Sequence, residues 1–143
     1  MNPQPHEVAA QAGNLEDATV LYIKSLQHCS YTELMRFLEP YIPVRGNMES
    51  FSVERENIIY YTGMSPEFCQ LIDGLCQAGR IHRHLADFFT YLVDGGALNM
   101  PLAQRAIQYK KPRWLPIVFC TYPYYPSTMN KKPDRRTGKK RMV

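Results

Sequence analysis

Residues 65–79 read Ser65-Pro66-Glu67-Phe68-Cys69-Gln70-Leu71-Ile72-Asp73-Gly74-Leu75-Cys76-Gln77-Ala78-Gly79. The stretch has the punctuation of a complete helix. A capping serine comes first, proline stands at the first helical position, and an acid follows in the first turn. Phe68, Ile72, Leu75 and Cys76 recur at helical spacing and define one apolar face. Gly79 is placed to stop the helix in a left-handed turn.

Strand signals flank this helix. On its N-terminal side Ile58-Ile59-Tyr60-Tyr61 is rich in β-formers and is closed by Thr62-Gly63. On its C-terminal side Arg80-Ile81-His82-Arg83-His84-Leu85 alternates and reads as a strand. Asp87 marks a turn, and Phe88–Val93 reads as the hairpin partner. Asp94-Gly95-Gly96 is a strong turn signal, followed by an extended piece from Ala97 to Leu102. Trp114 to Tyr122 reads as a final strand, which Pro116 confines to an edge or restricts at its start.

Upstream, Asn14 caps a helix carrying Leu15, Ala18, Tyr22 and Leu26. Ser30-Tyr31-Thr32-Glu33 has the form of a capping box opening a second helix, which Pro40 and Pro43 end. Residues 43–56 read as a loop. The expected fold class is therefore α+β: an N-terminal helix pair, then strand, helix and β-hairpin, with a further C-terminal strand. The expected organisation is a flexible leader over 1–13, one α+β domain over 14–126, and a disordered basic tail over 127–143.

Charge divides the chain more sharply than its net value of +4 indicates. Residues 1–103 hold six Lys/Arg against twelve Asp/Glu. Residues 104–143 hold eleven Lys/Arg against one acid, Asp134. Such asymmetry implies a basic appendage that meets an anionic partner, attached to a body that is not itself a polyanion-binding surface. Within the appendage, Lys131, Lys132, Arg135, Arg136, Lys139, Lys140 and Arg141 form a cationic run with no apolar residue among them. A run of this kind gains affinity for phosphate backbones by counterion release and needs no sequence readout. It serves equally as a solubilising tail or, in a eukaryote, as a nuclear import signal.

A second basic feature precedes it, Gln108-Tyr109-Lys110-Lys111-Pro112-Arg113-Trp114. Aromatic and cationic side chains alternate there, as in surfaces that stack on bases while neighbouring cations meet phosphates. The competing reading has Tyr109 and Trp114 anchoring the loop on the core while Lys110 and Lys111 face water.

The four cysteines, Cys29, Cys69, Cys76 and Cys120, form no CxxC pair and sit in apolar surroundings, which reads as reduced core thiols. Cys69, Cys76, His82 and His84 lack the knuckle spacing of a structural zinc site, so no metal is expected. No GxSxG, phosphate-binding loop, HExxH or paired-carboxylate motif is present, and the sequence points to a non-catalytic protein without a cofactor. Cys29 follows His28 directly, but adjacent residues on a helix point apart. The N-terminus lacks a signal-peptide pattern and no apolar run is long enough to cross a bilayer, so the expected location is cytoplasmic, or nuclear in a eukaryote.

The run Phe68 to Ile81, through Leu75-Cys76-Gln77-Ala78-Gly79-Arg80, followed by a hairpin ending at Gly95-Gly96, resembles part of a winged-helix domain over about residues 58–100. The resemblance implies a recognition helix leading into a wing. Two departures accompany it: a strand, Ile58–Tyr61, stands directly before the helix, and residues 65–78 carry Glu67 and Asp73 but no Lys or Arg. A helix so charged is a poor reader of the major groove and implies protein contacts. Two functions follow from the sequence. One is a nucleic-acid-associated protein, non-catalytic and not sequence-specific, within a larger DNA or RNA assembly. The other is a protein-interaction adaptor or small regulator acting through the acidic body.

Overall fold

The computed structural model describes residues 2–104 and 107–123. Ten elements follow in order: α1 (Pro5–Gln11), α2 (Leu15–Leu26), α3 (Tyr31–Leu38), β1 (Arg45–Phe51), β2 (Ile58–Met64), α4 (Pro66–Gln77), β3 (His82–Leu85), α5 (Phe88–Asp94), β4 (Arg113–Trp114) and β5 (Ile117–Cys120). The fold class is α+β, as the sequence implied.

Local signals set most of the helix ends. The Asn14 side chain accepts a hydrogen bond from the Asp17 amide and starts α2. Ser30 and Glu33 form a reciprocal capping box on α3. Ser65 Oγ accepts from the Phe68 amide, Pro66 opens α4, and Gly79 follows at φ 74°. The buried face of α4 is Phe68, Cys69, Ile72 and Leu75.

Three segments depart from the sequence expectation. Residues 5–11, expected to be a loose leader, form α1. Its His6 ring makes edge contacts with Tyr22 and Phe37, which stack on each other 4.2 Å apart. Residues 45–51, expected to be a loop, form the edge strand β1, irregular in register and almost wholly exposed. Residues 88–93, expected to be a strand, form α5. Asp87 accepts from the Phe89 amide at its start, and Gly95 ends it in the left-handed conformation at φ 76°. Asp87 and Gly95 are thus a helix cap and a helix stop, and the β-rich composition between them is overridden. Consequently β3 does not pair with residues 88–93, and the two segments read as a wing are a strand and a helix.

The partner of β3 is β5, antiparallel, with His82 opposite Cys120, Arg83 opposite Phe119 and Leu85 opposite Ile117. Across the other edge of β5, Cys29 and Phe119 exchange backbone hydrogen bonds of 3.0 and 2.7 Å. The second sheet has the order β1-β2-β4, antiparallel and then parallel. Residues 113–120 therefore serve both sheets, with the break at Leu115-Pro116 letting one segment change sheets. Pro116 is buried and stands directly before β5, so it restricts the start of that strand, the second of the two roles expected for it.

The core is aromatic. Tyr31 stacks on Tyr61 with ring centres 5.1 Å apart, Phe119 meets Tyr31 edge-on, and Trp114 meets Tyr91 and Phe88 edge-on. Each buried phenol has a partner, as burial of a polar group demands. Tyr91 Oη accepts from the Tyr31 amide and donates to the Ile117 carbonyl. Tyr61 Oη donates to the Gly96 carbonyl, so Thr32 Oγ1, 3.1 Å away, is the donor of the pair it makes with Tyr61.

Candidate functional site

The loop before β4 resolves into two kinds of residue. Trp114 is completely buried, and its Nε1 donates to the Tyr60 carbonyl at 3.1 Å. Tyr109 is buried too, and its hydroxyl accepts from the Gln104 amide. Arg113 lies half-buried with its guanidinium 4.7 Å above the Tyr109 ring and donates to the Leu102 carbonyl. The loop is further tied to the β1–β2 connection, since Asn57 Nδ2 donates to the Tyr109 carbonyl and Arg55 to that of Ile107. Lys110 and Lys111 are left exposed. Of the four loop residues expected to touch nucleic acid, these two lysines face outward, while Arg113 and Trp114 are held by the fold. Lys131, Lys132, Arg135, Arg136, Lys139, Lys140 and Arg141 lie outside the described residues.

The most concentrated polar arrangement centres on Arg83, a residue the sequence distinguishes only as part of the alternating strand 80–85. Its guanidinium lies 5.0 Å over the Tyr60 ring and 5.8 Å from the Phe119 ring centre. It donates to Asp73 at 3.0 Å and to Ser50 at 3.3 Å, with longer contacts of 3.4 Å to Tyr31 Oη. Burial works against the Arg83 charge, but the surrounding Tyr31, Cys76 and Asp73 groups outweigh it and its pKa is raised. Burial likewise pushes the Tyr31 phenol up to about 12. Arg83 is thus a permanent cation stacked on aromatic rings. The alternation of residues 80–85 could have pointed to it, because one face of that strand must turn inward.

Arg83 also floors a groove of about 390 Å³ between β1 and α4, where Glu49, Glu54, Asp73, Phe51 and Cys76 contribute the walls. On the far side of the β1–β2 connection, Glu49, Glu54 and Glu56 border a second depression together with Gln108 and Pro112. The acidic groups outnumber the cations in both, and Phe51 and Val53 stand out of the ridge between them.

The thiols are not arranged for chemistry at neutral pH. Burial raises Cys29 well above the ordinary thiol range, takes Cys69 and Cys120 to about 11, and raises Cys76. A protonated thiol is a poor nucleophile. Among the described residues no three His, Cys, Asp or Glu side chains converge on one point, and Cys69, Cys76, His82 and His84 form no metal-binding group. No described helix is long and apolar enough to cross a membrane.

The fold and these sites define an α+β domain with an aromatic core, an acidic groove and an outward-facing lysine pair. Comparison of the chain with protein-family profiles, with curated proteins and with solved structures gives no match.

Proposed function

We propose that this chain is a non-catalytic nucleic-acid-associated protein, a component of a larger nucleoprotein assembly, whose basic C-terminal segment contacts phosphate backbones. The observation that carries the reading is the division of charge: eleven of the seventeen Lys/Arg fall in residues 104–143, against one acid. Exposure of Lys110 and Lys111 supports it, because they stand free to add to the contacts of the cationic run that follows. Burial of Trp114 removes the base-stacking part of the expectation and leaves phosphate contact, which is not sequence-specific.

Fluorescence anisotropy with labelled single- and double-stranded oligonucleotides tests this. Each phosphate-contacting cation adds about −0.9 to the slope of log K against log salt on duplex DNA. Replacing Lys110 and Lys111 by glutamine should make that slope shallower by about 2. Replacing the seven cations of 131–141 should abolish tight binding. Binding that ignores salt, or survives loss of the seven cations, overturns the reading.

A second reading, an adaptor that docks through its folded body, is favoured by one feature. Phe89, Leu92 and Val93 share the outer face of α5, and Val93 is 83% exposed. Co-purification with nuclease treatment separates the two readings. A protein partner that survives nuclease and is lost on Leu92→Asp supports the adaptor, whereas release of all partners by nuclease supports the first reading.

A further inference from the structure

We propose that the groove between β1 and α4 is the docking site of this chain's own basic segment, residues 130–141, so that the acidic body and a nucleic-acid backbone compete for the same cations. This rests on the reading of that segment as the phosphate-contacting part of the molecule.

Three observations converge on the groove. The first is its open side: β1 is the outer strand of its sheet, exposed along nearly all its length, so the groove is covered by no other described element. The second is charge. Arg83 and Asp73 neutralise each other, which leaves the Glu49 and Glu54 carboxylates without an ion pair among the described residues. Glu49 and Glu54 border both depressions; Arg55 lines only the second, and neither Lys110 nor Lys111 lines either one, so Arg83 is the sole cation among the groove's own lining residues. The third is the path of the chain. β5 pairs with β3 so that Phe119 faces Arg83 and Cys120 faces His82, and described chain continues only to Pro123. The last described residues therefore lie beside β3, whose Arg83 floors the groove, with the Tyr122 carbonyl 3.0 Å from His84 Nε2. Seven residues separate position 123 from Lys131, and a chain of that length reaches at most about 25 Å.

Complementarity also fits in kind. The segment offers seven cations and no apolar side chain, and the groove offers carboxylates above a stacked guanidinium. Exposed ion pairs are individually weak, but a tethered partner acts at an effective concentration in the millimolar range. Such a contact holds at low salt and gives way to a polyanion of higher charge density. It would lower the affinity of the free protein for weakly charged surfaces and spare its affinity for nucleic acid.

Zero-length carbodiimide cross-linking of the full chain, with peptides identified by mass spectrometry, reads this directly. An equal mixture of ¹⁴N- and ¹⁵N-labelled protein distinguishes contacts within one chain from contacts between chains. At low salt we expect Lys131, Lys132, Lys139 or Lys140 joined to Glu49, Glu54 or Asp73 within single-isotope products. These links should disappear at high salt or on adding an oligonucleotide, and should fall severalfold in Glu49→Gln/Glu54→Gln. Links spread evenly over Glu7, Glu16, Glu33 and Glu67, mixed-isotope links, or no links at all overturn the proposal. Oligonucleotide binding by the seven-cation variant fails separately: groove cross-links without any nucleic-acid affinity sink the function proposed above and leave the docking contact standing. Tail-dependent affinity without groove cross-links does the reverse.

Discussion

Residues 113–120 and residues 45–57 are both largely extended segments, yet one is enclosed on two sides and the other stands at the rim. Every residue from Pro116 to Cys120 is buried, and the segment bonds to β2, β3, residues 101–103 and Cys29. β1 and its connection to β2 instead expose Met48, Phe51 and Val53. The contrast teaches where this molecule spends its apolar side chains. Its basic-aromatic loop looks like a binding surface in sequence but runs directly into the core, whereas the acidic hairpin turns apolar groups outward.

The strongest way to break that comparison is Trp114→Ala. It empties the space against Tyr91 and Phe88 and leaves the Tyr60 carbonyl without its donor. A loss of about 3–5 kcal/mol is expected, a large part of a small domain's stability, measured by urea unfolding. Trp114→Phe keeps most of the packing and should cost less. If Trp114→Ala were neutral, the segment would not be the spine of the fold.

Alkaline pH comes next, since it probes the same core without mutation. Cys69 and Cys120 rise from 9.0 to about 11 on folding, and Tyr22 and Tyr31 from 10.0 to about 12, in each case chiefly through burial. The unfolded chain therefore releases protons that the folded chain keeps. Stability contributed by these groups is intact below pH 9 and drains away as pH rises through 11 to 12. Thermal unfolding followed across that range should show a falling midpoint. Tyr31→Phe should flatten part of the fall above pH 10.

How much of this was legible in sequence depends on which signal was local. Ser65-Pro66-Glu67 and the Ser30–Glu33 box are read by the residues next to them, and α4 and α3 stand where those signals put them. Phe88–Val93 misled because its β-branched and aromatic side chains indicate burial, which a strand and a packed helix satisfy equally. The caps Asp87 and Gly95 held the deciding information. Arg83 could not be recognised as the centre of a polar cluster, because Ser50, Tyr31 and Asp73 reach it from three other elements. Burial of Trp114 was one of two readings, and only the long-range contacts with Tyr60 and Tyr91 decide it.

A pair of glycine substitutions sharpens the comparison at intermediate size. A Cβ on Gly96 would overlap Thr32 Oγ1 and lie 2.6 Å from Tyr61 Oη, within the network that closes α5 onto the core. Gly96→Ala should cost about 1–3 kcal/mol by overpacking. Gly74 sits in α4 with open space around it, so Gly74→Ala should stabilise by about 0.5–1 kcal/mol through helix propensity alone. Equal effects at the two sites would mean that the Gly96 network is not fixed.

The smallest effect is expected at the tip of the exposed hairpin. Val53 is 91% exposed and lies between Ser52 and Glu54 on the ridge beside the groove. Val53→Asp removes an apolar group that water already surrounds, so its cost should stay within about 0.5 kcal/mol. Yet the new carboxylate joins Glu49 and Glu54, and it should raise the yield of cross-links from the basic segment to the groove. Stability and docking are thereby separated at one position: a variant that unfolds like the parent but cross-links more strongly places Val53 on a binding rim. A loss of more than about 1 kcal/mol would instead make the hairpin part of the cooperative core, and the contrast between the two segments would fail.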